Sequence, residues 1–226
     1  MKKLFVLSVG GSLVNPGVID TQFLKKFKVL VENEVKKGNR FIIVVGGGKP
    51  ARWYQDALKK ISSSKAQDLD WMGIFATRLN AQLVRLMFGT LAHAKIIEDP
   101  NKKVVFKETI LLAGGWMPGR STDDDAVRLA KMYGSKTVIN LSNIDYAYTK
   151  DPKKFKDAKK IVSISWENFK KIVGSTWKPG TNAPFDPIAS KLAQQENMTV
   201  IIANGKNLSN LKNILEGKKF NGTVIR

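Results

Sequence analysis

Residues 41–52 read FIIVVGGGKPAR. Four of the first five residues are β-branched and all are apolar, so the run favours a strand. It has no polar alternation, which means that both faces of the strand are covered. Three glycines end it, and a helical stretch follows from about Ala51 to Lys60. A doubly buried strand, a glycine turn and a helix form one unit of an α/β sheet with helices on both faces.

The same order recurs on either side. LFVLSV (4–9) runs into Gly10-Gly11-Ser12, after which Phe23, Phe27, Leu30, Val31 and Val35 fall at helical spacing up to a stop at Gly38. A polar break at SSSKAQ precedes a long helix predicted from about Leu69 to Leu91. Weaker extended segments are expected near Lys95–Ile97 and Val104–Lys107. Then come the strand ILLAGG, a helix opened by STDDDAV, the strand TVINL and a loop from Ser142 to Lys160. SWENFKKIV and FDPIASKLAQQE read as helices, MTVIIANG as a strand and LSNLKNIL as a last helix before GTVI. At 226 residues, without an internal repeat or low-complexity linker, the chain is expected to form a single domain, 1–226.

Composition narrows the function. No apolar run approaches the roughly 20 residues that cross a bilayer, so a soluble protein without a membrane partner is expected. In MKKLFVLSVGGS the apolar run ends at Gly10, which suits a buried strand better than a signal peptide. Cysteine is absent, excluding thiol catalysis and agreeing with a cytoplasmic enzyme, and a lone His93 excludes a histidine-rich metal site. Neither His93 nor Trp53, Trp71, Trp166 and Trp177 carries a functional expectation. The net charge of +19 would draw in phosphates, nucleotides or nucleic acid. Its lysines are dispersed in pairs at the ends of apolar segments, however, and no nucleic-acid motif accompanies them.

Ligands of open α/β sheets bind beyond the carboxyl ends of the strands. Two of those ends are the glycine turns Gly10-Gly11-Ser12 and Gly46-Gly47-Gly48-Lys49, where backbone N–H groups can approach phosphate oxygens. Neither the P-loop nor the Rossmann glycine pattern is present. In GGWMPGRSTDDDAV (114–127), Ser121 or Thr122 can cap a helix, with Asp124 or Asp125 as the acid of a capping box. Asp123 beside Pro118-Gly119-Arg120 asks for more: a guanidinium suits a phosphate, and an aspartate suits Mg²⁺ or a lysine held over a transferring phosphoryl group.

Together GGS, VVGGGKPAR, DWMGIFATRLNA, GG-x-x-PG-x-STD, NLSNIDYAYTKDPKK and NAPFDPIASKLA resemble the amino-acid kinase superfamily, and within it the UMP kinases of the short archaeal-like type. The resemblance implies a three-layer αβα sandwich with a mostly parallel central sheet. It also implies an acceptor-binding N-terminal half, an ATP-binding C-terminal half and a hexamer built from dimers. Carried over by position, Gly47, Asp70 and the run Trp116, Met117, Pro118, Gly119, Arg120, Ser121 and Thr122 would contact UMP. Gly10, Gly11, Ser12, Gly48, Arg52, Ser142, Asn143, Tyr148 and Asp151 would surround ATP. Asp123 and Asp186 would be the carboxylates near the transferred group. Taken one at a time, Asp70 and Asp186 could instead be helix caps, Tyr148 a loop aromatic and Asp151 a turn former.

The chain departs from the pattern in two regions. Ser8 stands where many relatives carry a lysine or aspartate, so stabilising charge would come from Lys49, Arg52, Arg120 or Mg²⁺. Trp116-Met117 and Arg120 replace the threonine and histidines common in archaeal acceptor loops. The expected activity is Mg²⁺-dependent phosphoryl transfer from ATP to UMP, with no metal site readable as a direct motif. A nucleotide sensor or molybdate-type oxoanion store on the same fold is the alternative, and a basic nucleic-acid-binding protein is a third reading.

Overall fold

A computed structural model describes residues 2–152, 154–174 and 183–226; Trp177 lies outside them. The main sheet has seven strands in the order β3 (Ile110–Ala113), β2 (Arg40–Val45), β1 (Leu4–Val9), β4 (Thr137–Ser142), β8 (Thr199–Asn204), β9 (Thr223–Ile225) and β7 (Ser163–Ile164). The first five are parallel to one another, and β9 runs antiparallel to β8. A two-stranded hairpin, β5 (Ala147–Tyr148) with β6 (Lys160–Ile161), stands apart within the stretch read as a loop.

The uninterrupted apolar strands do feed two cores. Phe41, Ile43 and Val45 of β2 point to one face, against α2 (Thr21–Lys36), α4 (Ala66–Phe88) and α8 (Leu208–Glu216). Ile42 and Val44 point to the other, against α5 (Thr122–Met132), α6 (Trp166–Val173) and α7 (Pro187–Gln195). The result is the expected αβα sandwich. The short α1 (Gly11–Val14) follows β1, and α3 (Gly48–Ile61) lies outside α4 with no buried residue of its own.

Three expectations need correction. Residues 104–107 form no strand: the Tyr133 hydroxyl takes both the N–H and the C=O of Val104, and Arg40 binds the carbonyls of Phe106 and Glu108. Only single bridges, Ala92 to Ile110 and Ile97 to Ala113, touch the outer edge of β3. The long helix also begins and ends earlier than its periodicity suggests. Asp68 accepts the Lys65 N–H at 3.0 Å to start it, and Gly89, at φ +56°, turns the chain into a 3₁₀ turn over Gly89–Leu91. Asp70 therefore lies inside the helix and is no cap.

Candidate active site

The chain leaves β1 toward β2 on one side, while β4 lies on its other side, so the order reverses between β1 and β4. Such a reversal opens a crevice at the carboxyl ends of the strands. The two glycine turns interlock there. A Cβ on Gly11 would lie 2.0 Å from the Gly48 nitrogen and 2.5 Å from the Gly46 carbonyl carbon, so only glycine fits. Asn80 of α4 donates to the Gly46 and Gly47 carbonyls at 2.9 and 3.1 Å, which pins the second turn from behind. The Gly10 N–H donates to the Leu141 carbonyl at 2.8 Å, tying the first turn to β4 beside Ser142. A cleft of about 240 Å³ remains, lined by Gly11, Ser12, Pro16, Gly48, Lys49 and Arg52. Two cations beside close-packed backbone turns suit an anion.

Asp123, in the first turn of α5, sits over the crevice. Its Oδ1 accepts from the Asn140 side-chain amide at 2.7 Å and from the Ser8 hydroxyl at 2.9 Å, and its Oδ2 accepts the Asp186 backbone N–H at 3.3 Å. Burial raises its carboxyl to about 6, with the Asp186 charge adding to the rise and the Ser8, Asp186 and Asn140 hydrogen bonds opposing it. Asp186 is the N-cap of α7, accepting the Ala189 N–H at 2.8 Å on Oδ1, with Pro187 at the first helical position. Burial raises this carboxyl too, against the pull of the Ala189 amide. Its Oδ2 is buried without a hydrogen-bond partner. One oxygen of Asp186 thus serves the cap, and the other is left over from it.

Ser121 is the cap of α5, its hydroxyl accepting the Asp124 N–H at 3.2 Å. Asp124 and Asp125 do not complete a capping box, contrary to expectation. Asp124 is fully buried and pairs with Arg128 at 2.8 Å, while Arg120 reaches the same carboxylate oxygen only at 3.8 Å. Asp125 accepts the Trp116 N–H at 3.2 Å, and burial holds its carboxyl well above the ordinary aspartate range.

The loop from Gly115 to Gly119 is fastened from both sides. Thr77 accepts the Gly115 N–H at 2.6 Å, and Arg78 donates to the Gly115 and Trp116 carbonyls, both at 3.1 Å. The Arg128 guanidinium lies 5.2 Å from the Trp116 ring centroid. Asp70 reaches across from α4 to accept the Gly119 N–H at 2.8 Å. Asp70 and the Trp116–Thr122 run, two separate signals in the sequence, are therefore one structure. Met117, Pro118 and Thr122 complete this rim, with Met117 exposed.

Ser142 ends β4 and Asn143 follows it, whereas Tyr148 lies in β5 and Asp151 in the connection from β5 to β6, where the Asp151 carbonyl accepts the Lys154 and Phe155 N–H groups. The hairpin docks through the Ala147 N–H on the Thr223 hydroxyl at 2.8 Å. Asn140, Asn80, Thr77, Arg78 and Arg128 were given no role in the sequence reading. Thr77, Arg78 and Asn80 lay within the block DWMGIFATRLNA, and Asn140 showed as a polar residue inside the otherwise apolar run TVINL.

A family model described as "Amino acid kinase family" matches residues 3–204. The chain belongs to the amino acid kinase family. Uridylate kinase of Thermoplasma volcanium is 34% identical over 221 residues, 96% of this chain and 95% of the relative. Uridylate kinase of Methanobrevibacter smithii is 32% identical, covering 97% of this chain and 98% of its own. The crystal structure of uridylate kinase from Archaeoglobus fulgidus superposes with a TM-score of 0.82 at 30% identity, each chain covered in full. UMP kinase from Bacillus anthracis, 19% identical with a TM-score of 0.77, shares the fold.

Proposed function

We propose that this amino acid kinase transfers the γ-phosphoryl group of ATP to the phosphate of UMP, giving UDP. The observation that carries this reading is the match, end to end and at 34% identity, to a protein named uridylate kinase. The acceptor phosphate is already an anion, so the protein's task is alignment and charge stabilisation without a strong base. Gly47, Asp70 and the Trp116–Thr122 loop hold UMP in the N-terminal half. Gly10, Gly11, Ser12, Gly48 and Arg52 of the glycine turns, with Ser142, Asn143, Tyr148 and Asp151 of the C-terminal half, hold ATP.

Lys49 and Arg52 neutralise phosphate charge in the glycine cleft. Asp124 already has its close partner in Arg128, which leaves Arg120 free to swing to the acceptor phosphate. Among the described residues no group of three or more acidic or histidine side chains forms a metal cage. The residues fit a Mg²⁺ ion carried on the ATP phosphates, for which the orphaned Asp186 Oδ2 is an available oxygen. Such an ion would supply positive charge to offset that of the phosphates, with Asp186 as the side chain placed to hold it. Asp123 and Asp186 fix the geometry around the transferred group.

The chain also acts as a homo-oligomer in this reading, with a hexamer built from dimers as the expected assembly. Phe75, Leu79, Leu83 and Leu86 form an exposed apolar stripe along α4, with Leu79 71% exposed. A second copy laid along α4 would cover it. Light scattering at micromolar concentration checks this, and a monomer would overturn it. For the activity, purified protein is incubated with ATP, Mg²⁺ and each nucleoside monophosphate in turn. Formation of UDP ahead of the other diphosphates is expected, and absence of any diphosphate would overturn the kinase reading.

A further inference from the structure

Ser8 and Asn140 are register partners on the adjacent parallel strands β1 and β4. In each strand the neighbouring residues on the same face, Val6 and Val138, belong to the core beneath α5. The two polar side chains therefore project toward α5 at the point where an apolar run would otherwise continue, and both are nearly fully buried. Their donors converge on one atom, Asp123 Oδ1, at 2.9 and 2.7 Å. With the Asp186 N–H on Oδ2 at 3.3 Å, the carboxylate is held at both ends.

We infer that Ser8 and Asn140 are a pair of positioning residues that clamp the Asp123 carboxylate in its working orientation, an assignment that rests on the phosphoryl-transfer reading. Asp123 needs such a clamp because it shares a part-buried site with Asp186, and two like charges in low dielectric repel. Two neutral donors on one oxygen offset that repulsion and fix the carboxylate plane without adding charge. Ser8 is thus an active component of the site even though it bears no charge. Because both side chains are nearly fully buried and donate to Asp123, their removal should affect the chemical step and leave substrate binding alone.

The test combines kinetics with melting. Ser8→Ala and Asn140→Ala are each expected to lower kcat about 10- to 100-fold, the range for a lost hydrogen bond to a charged group, with KM for UMP and ATP within about threefold of wild type. Unchanged kcat in both, or KM values that rise as far as kcat falls, overturns the assignment. Thermal melting of Ser8→Ala, Asp123→Ala and the double variant tests the clamp without reference to any reaction. The melting shift caused by Ser8→Ala is expected to disappear in the Asp123→Ala background. An equal shift in both backgrounds would mean that Ser8 acts on something other than Asp123. If the wild type makes no UDP, the kinase reading fails while the melting cycle still decides whether the clamp exists.

Discussion

Asp123→Asn is expected to stabilise the fold while abolishing activity. Burial raises the Asp123 carboxyl from 3.8 to about 6 in the folded chain. At neutral pH the protein therefore holds a charge that costs it, by linkage, about 3 kcal/mol. The cost is fully present above pH 6, where the carboxyl is ionised in both folded and unfolded chains. It falls as pH drops from about 6 toward 3.8, because the folded carboxyl takes up its proton first, and it is gone below 3.8. An amide carries no such cost. Its oxygen can still accept from Ser8 and Asn140, but its NH₂ would face the Asp186 N–H and lose that 3.3 Å bond, at about 1 kcal/mol. The net gain is about 2 kcal/mol at pH 7.5, or about 4–8 °C in Tm for a chain of this size. Differential scanning calorimetry at pH 7.5 and pH 5, with turnover at pH 7.5, is the assay. The expected result is a higher Tm at pH 7.5, an advantage cut to about a third at pH 5, and kcat lower by orders of magnitude. A variant less stable than wild type at pH 7.5, or an advantage indifferent to pH, would refute the reasoning.

Asp70→Asn keeps an oxygen for the Gly119 N–H but loses the charge offered to the ribose hydroxyls, so UMP affinity should fall more than ATP affinity in calorimetric titrations. Equal losses for both nucleotides would contradict this. Arg120→Lys retains a cation but loses the bidentate fork, so KM for UMP should rise and turnover fall. Tm should change little, because the 3.8 Å contact with Asp124 is loose and partly solvated. Gly11→Ala drives a methyl group into the Gly46–Gly48 turn and should lower Tm by more than 10 °C, since neither backbone can yield. A variant that melts like wild type would mean that the turns are looser than their packing implies.

The sheet, the covering helices and the glycine turns were legible in the sequence because they depend on local regularities. A doubly buried strand must be apolar throughout, as FIIVV is, and a turn whose Cβ would strike backbone must be glycine, as Gly11 is. The ordered motif blocks carried the family in the same way. Segment 104–107 was misread because extended propensity says nothing about whether an edge is available for pairing, and here side chains of Tyr133 and Arg40 occupy the backbone instead.

The partners of the three aspartates were beyond reach of the sequence. Adjacent residues on one helix turn project in different directions, so Asp123 meets Ser8 and Asn140, Asp124 meets Arg128, and Asp125 meets the Trp116 amide. Two of these contacts span 115 and 17 residues, and only the packing of α5 across the β1–β4 junction brings them together. The chain's residue types dictate that a carboxylate buried there needs donors, whereas which donors it finds is a property of the tertiary structure alone, since hydrogen bonds act over about 3 Å and sequence distance does not measure that.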